Sequence, residues 1–197
     1  SEYNCSLDNL NKNIFSCGAE VRTFDLRTLR TTAVRIVSIN FNQKINQAYV
    51  LEDIARPYAP YQSDNTISGR CFWLNDDFEG KNTEDYVLTH FSLRCDFPVS
   101  NGDLYVFGEL TNWKIMPEAK LKYNPALNYW ETSLLLKQGY YNYQYVFVPY
   151  GENKIDETYI EGSHWQTLNE YTILLYLKEE GTSYDKLIGT SSIKIEK

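Results

Sequence analysis

Apolar and polar residues alternate along most of this chain in short runs broken by turn residues. Between Tyr86 and Phe97, the residues Val87, Phe91, Leu93, Cys95 and Phe97 fall on one side, and His90, Ser92, Arg94 and Asp96 on the other. A period of two with a single apolar face predicts a half-buried antiparallel strand. The tyrosine run 140–148 has the same period, with Tyr141, Tyr143, Tyr145 and Phe147 on one face. Further strands are predicted over 33–41, 47–53, 69–74, 104–107, 121–123, 129–136, 171–178 and 186–195. Turn signals separate them: Ser100-Asn-Gly-Asp103, the loop 124–128, Gly139, Gly162 and Glu179-Glu-Gly-Thr182. Helical periodicity is almost absent, and a turn or short helix near Leu7–Ile14 is the one candidate. Strands spaced by turns every 8–12 residues predict β-sandwiches. Pro98 and the turn after it place a boundary near residue 98. The expectation is therefore all-β, two tandem immunoglobulin-like sandwiches, residues 1–98 and 99–197.

Composition narrows the function classes. Of the 197 residues, 43% are hydrophobic and 23% charged, which is an ordinary globular balance. Aromatics reach 15%, with 17 Tyr, and such residues suit pleated sheets. A net charge of −7 argues against nucleic acid and against anionic lipid as partners. The longest apolar stretch, Ile173 to Leu177, is far short of the roughly 20 residues of a spanning helix. Ser1-Glu2-Tyr3 does not open a signal peptide, so a targeting segment is expected to have been removed or never present.

Candidate chemistry is sparse. Two histidines, His90 and His164, leave little material for a zinc enzyme or a Ser-His-Asp triad. Cys5, Cys17, Cys71 and Cys95 form no CxxC pair, and their even number allows either one disulfide or buried free thiols. Asn75, Asp77, Glu79 and Gly80 mimic positions 1, 3, 5 and 6 of a calcium loop, with Asp76 among them. Position 12, however, is Tyr86 instead of a bidentate Glu, so a solvated hairpin loop is the simpler reading. No nucleophile elbow, P-loop or dinucleotide fingerprint occurs. No catalytic residue, cofactor or metal is expected. Trp113, Trp130 and Trp165 suit either sugar stacking or sheet packing; spacing favours packing.

Two resemblances go further. Val106-Phe-Gly-Glu-Leu-Thr-Asn-Trp113, Trp130 before Leu134-Leu-Leu136, and Gly139-Tyr-Tyr-Asn-Tyr-Gln-Tyr145 resemble early-set immunoglobulin-like domains of the glycogen-binding type. The sequence departs from that pattern at Gln144, where a Lys is usual, and at Val148-Pro-Tyr-Gly151. A closer resemblance runs through Gly18-Ala-Glu-Val-Arg-Thr-Phe-Asp-Leu-Arg27, Glu84-Asp-Tyr-Val87, Gly108 to Trp113, Lys137 to Tyr145, Glu161-Gly-Ser163 and Tyr184-Asp-Lys-Leu-Ile-Gly189. Together these resemble the plug-protein family of the Bacteroidetes type IX secretion system. Members usually carry a further N-terminal β region, so the chain is expected to be a fragment.

The resemblance implies a non-enzymatic, exported protein at the periplasmic face of the outer membrane. Its partner would be the outer-membrane translocon protein, whose channel it closes without itself inserting into the membrane. The alternative is a carbohydrate-binding module using Trp113. For the partner contact, Asp53-Ile-Ala-Arg-Pro-Tyr-Ala-Pro-Tyr61 is the candidate. Its two prolines oppose regular pairing, so Tyr58 and Tyr61 are expected to ride an exposed loop. The competing reading is a connector folded over the sandwich.

Overall fold

The computed structural model describes residues 16–30, 33–41, 44–62, 66–78, 84–152 and 154–194. The expected turn near Leu7–Ile14 lies outside them. Among the described residues there are twelve strands: β1 (Arg22–Asp25), β2 (Ile36–Asn40), β3 (Asn46–Val50), β4 (Asp53–Ile54), β5 (Cys71–Trp73), β6 (Tyr86–Arg94), β7 (Gly102–Phe107), β8 (Lys122–Asn124), β9 (Tyr129–Lys137), β10 (Gly139–Pro149), β11 (Glu170–Leu177) and β12 (Lys186–Lys194). One short helix, α1 (Thr158–Glu161), and two single 3-10 turns complete the described elements. No described helix is long and apolar enough to cross a membrane.

The strands build two main sheets and a separate hairpin. In the first sheet β10 is the hub, pairing antiparallel with β1, β5 and β7. The second runs β2-β3-β6-β9-β8, with β4 also pairing β6. Here β6 and β9 are antiparallel, whereas β3 and β4 run parallel to β6. The third is the two-stranded β11–β12 hairpin.

The alternation read in β6 is realised: Val87, Phe91 and Leu93 are buried, and His90 and Ser92 lie on the opposite face. Tyr141, Tyr143 and Tyr145 are buried in the core, as their shared face predicts. Phe24 of β1 stacks on Tyr141 with ring centroids 5.0 Å apart and meets Phe91 of β6 edge-on at 5.5 Å. These aromatic contacts join the two sheets into one core.

The expected division at residue 98 is corrected by the pairing. Strand β10 pairs with β1 and β5, and β9 pairs with β6, so strands from both sides of residue 98 build both sheets. The turn at 100–103 is real and joins β6 to β7. A turn is a local property, however, while the choice of strand partners depends on distant sequence. The described residues therefore form one sandwich with a projecting hairpin, not two tandem sandwiches.

Candidate functional site

The expected docking loop leaves β4 and is fastened at several points. Ala55 N–H donates to Arg94 O at 2.8 Å, and Arg56 N–H to Ile160 O at 2.7 Å. Gly162, at φ +82°, comes so close that an added Cβ would lie 2.8 Å from Pro57 O. The loop separates the two tyrosines. Tyr58 is 95% exposed. Tyr61 is instead half-buried: its hydroxyl donates to Glu20 Oε1 at 2.6 Å, and its ring meets His164 edge-on. The expectation that both stand free is corrected for Tyr61, because a carboxylate lies within reach of its phenol.

Beneath this loop lies a buried ionic network that strand periodicity does not reveal. Arg22 of β1 donates through Nη1 to Asp53 Oδ1 at 2.7 Å and through Nε to Glu161 Oε1 at 2.9 Å. Its Nη2 reaches Ile54 O at 2.9 Å. Asp53 also accepts from Arg35 Nη2 at 2.5 Å, and its other oxygen accepts from the hydroxyls of Tyr143 and Tyr145 at 2.6 and 2.8 Å. Glu161 accepts further from Arg56 Nε at 2.8 Å and from Tyr145 N–H at 2.9 Å. Burial opposes the charge on Glu161, yet Arg22 and Arg56 hold its carboxyl below the usual range. Burial likewise opposes the charge on Arg22, and Glu161 and Asp53 more than offset it. Burial, followed by the Asp53 charge, pushes the Tyr143 and Tyr145 phenols well up. Two carboxylates shared among three guanidiniums thus cross-link β1, β4, α1 and the loop. Such a network resists rearrangement, because opening any part strands a buried charge.

The other singled-out residues are dispersed. Trp113 is 48% exposed. It meets Phe107 edge-on at 5.6 Å and lies over Gly69, where an added Cβ would be 2.6 Å from its ring. It lines an open groove of about 560 Å³ with Gln144, Glu157 and Asn169. In the acidic segment, Asp77 is already committed: it accepts from Thr28 Oγ1 at 2.6 Å and from Leu29 N–H at 2.7 Å. Asn75 Oδ1 accepts from Asp77 N–H. The segment is thus a side-chain-capped turn as far as it is described; Glu79 and Gly80 lie outside the described residues. Among the described residues, no group of three His, Cys, Asp or Glu side chains is placed to hold a metal.

Cys17, Cys71 and Cys95 are free thiols, and Cys5 lies outside the described residues. Burial first, and then a neighbouring carboxylate, pushes Cys71 up to about 11 and Cys95 up to about 12.

One serine–histidine pair exists on the outer face of the second sheet. Ser133 Oγ lies 2.8 Å from His90 Nδ1, and His90 Nε2 lies 3.1 Å from Gln47 Oε1. Because the Gln47 carbonyl only accepts, Nε2 carries the proton and Nδ1 accepts from the serine. Tyr49 stacks on the imidazole at 4.4 Å. Burial lowers the His90 pKa and Glu131 partly counters it. A hydrolytic triad sets its serine on Nε2 and a carboxylate on Nδ1; here the serine is on Nδ1 and the neutral Gln47 amide accepts from Nε2. His90 and Ser133 are direct cross-strand partners, and their contact acts as a sheet-pairing bond.

Fold and surface together define an all-β sandwich protein. Its fold matches the crystal structure of a hypothetical protein from Parabacteroides merdae ATCC 43184, with a TM-score of 0.84 and 35% sequence identity. The match covers 92% of this chain and 46% of that one, so the chain spans about half the length of this neighbour. No family model matches the chain, and no curated protein does.

Proposed function

We propose that this chain is a non-enzymatic module of protein secretion. It plugs the periplasmic side of the outer-membrane type IX translocon channel, as its sequence resemblance implies. The observation that carries this reading is the mounting of Tyr58. A nearly fully exposed aromatic ring sits two residues after Arg56, whose guanidinium is locked onto buried Glu161 and onto Glu20 O. An aromatic anchor on a pre-ordered loop loses little entropy on docking. A braced sandwich obstructs by bulk and is released when its surface contacts change.

A second reading, a carbohydrate-binding module, is favoured by the groove that brings Trp113 beside Gln144, Glu157 and Asn169. One set of experiments separates the two. Tyr58→Ser in the full-length protein should leave melting unchanged and weaken recovery of the translocon from native envelopes. Maltoheptaose should give no heat by titration calorimetry. Full-length protein that never recovers a translocon refutes the plug reading. Maltoheptaose binding that Trp113→Ala abolishes, without loss of fold, establishes the sugar reading instead.

A further inference from the structure

We propose that the groove beside β4 is a peptide-binding site in which the Arg35 guanidinium takes a carboxylate of an acidic peptide. The proposal is independent of the plugging reading.

The buried ionic network holds three guanidiniums and two carboxylates, so one positive charge is unmatched. The surplus falls on Arg35. Arg22 uses Nε, Nη1 and Nη2, and Arg56 uses Nε and Nη2. Arg35 has one acceptor, Asp53 Oδ1 at its Nη2, and shares that oxygen with Arg22. Its Nε is buried with no hydrogen-bond partner. An unmet buried donor costs free energy, so it marks a place where an acceptor belongs. Arg35 also holds a left-handed backbone, with φ +58°. For a long side chain that conformation is strained, and such strain gathers at ligand sites.

The Arg35 side chain is 33% exposed and faces a groove of about 790 Å³, which Val34, Glu52, Ile54, Ala59 and Gln62 also line. Neither remaining carboxylate here supplies the missing charge. Glu52 is held by Arg94. Glu20 meets Arg56 through its backbone carbonyl and turns its carboxylate to the Tyr61 hydroxyl. The ligand's chemistry follows from the charge. One surplus unit suits a carboxylate, whose plane matches the guanidinium fork. A phosphate group carries about −1.5 to −2 at pH 7 and would overfill the site beside Glu52. A carboxylate on this guanidinium supplies the acceptor that Nε lacks and cancels the surplus. The groove is larger than one carboxylate fills, and Val34 and Ile54 on it are each more than half exposed. An extended peptide with apolar residues on both sides of an Asp matches that lining.

The test titrates the whole ¹⁵N-labelled chain with Ac-Leu-Asp-Leu-NH2 and with its neutral twin Ac-Leu-Asn-Leu-NH2. Low salt, about 50 mM, keeps screening mild. The readouts are the dissociation constants and the side-chain Nε–H resonance of Arg35, assigned by its loss in Arg35→Lys. The Asp peptide should shift that resonance and bind on the order of tenfold more tightly than the Asn peptide. Arg35→Lys keeps a positive charge against Asp53 but has neither the fork nor Nε. It should bring the Asp peptide down to the level of the Asn peptide, with circular dichroism confirming the fold. If that variant does not fold, the resonance shift in the unaltered chain decides. Equal affinity for the two peptides overturns the proposal, as does an Arg35 resonance unmoved at saturation. Inorganic phosphate binding more tightly than the Asp peptide would overturn the charge argument. Acetate binding as tightly as the Asp peptide would overturn the assignment to a peptide.

Discussion

Replacing Asp53 by asparagine changes no volume, yet it removes a charge on which four donors converge. Oδ1 receives Arg22 and Arg35 at 2.7 and 2.5 Å, and Oδ2 receives Tyr143 and Tyr145 at 2.6 and 2.8 Å. An amide has one acceptor oxygen and one donor nitrogen. Whichever way it turns, two donors lose their acceptor and face an N–H instead. Hydrogen bonds to charged groups are worth about 1.5–3 kcal/mol each, so two lost bonds cost about 3–6 kcal/mol. That agrees with the roughly 3–5 kcal/mol measured when one partner is removed from a buried ion pair. For a domain of this size, 1 kcal/mol moves Tm by about 2–4 °C, so Asp53→Asn should lower it by about 6–20 °C. Thermal unfolding followed by far-ultraviolet circular dichroism, with urea unfolding for the free energy, makes the measurement. Tyr143→Phe removes a single donor and should cost less than Asp53→Asn. A shift below about 3 °C for Asp53→Asn, or a larger loss for Tyr143→Phe, would refute the reasoning.

Two further outcomes follow from the buried groups. Folded Glu161 binds its proton less readily than in the unfolded chain, so its contribution is complete above the unfolded value of about 4.3 and is lost as pH falls through the lower folded value. His90 is lowered as well, so a separate loss begins as pH drops below about 6.5. Tm measured from pH 7 down to pH 3 should show both, and Glu161→Gln should flatten the limb below about 4.3; an unchanged limb would contradict the assignment. At pH 8 Cys71 and Cys95 are protonated thiols, so iodoacetamide should alkylate them at least about tenfold more slowly than an ordinary cysteine. Equal rates, read by peptide mass spectrometry in native buffer, would show that the burial is wrong.

The class of the fold was legible from periodicity alone. Alternation in 86–97 and 140–148 marks strands because successive side chains in a strand point to opposite faces, a rule that needs only neighbours in sequence. The hairpin loop at 124–128 joins β8 to β9, and the strands over 171–178 and 186–195 are β11 and β12. The apolar runs of β11 and β12 also announced strands, but not that both their faces would stay exposed. Burial is set by what packs alongside, and no local pattern encodes that.

What the tertiary structure alone decided is which strand meets which, and hence where the buried charges meet. Arg22 and Glu161 lie 139 residues apart, and Tyr145 and Asp53 lie 92 apart. In the sequence Arg22 lies in a segment where no strand is predicted, and Glu161 is one of many carboxylates. Only the pairing of β10 with β1, and of β4 with β6, brings them into one desolvated place where their charges become strong. Pairing across residue 98 likewise overrides the turn that made a boundary there plausible. Tyr58 and Tyr61 show the same division at small scale. Their loop was readable from its prolines, but the freedom of one ring and the anchoring of the other depend on Glu20 and His164, which the chain brings in from elsewhere.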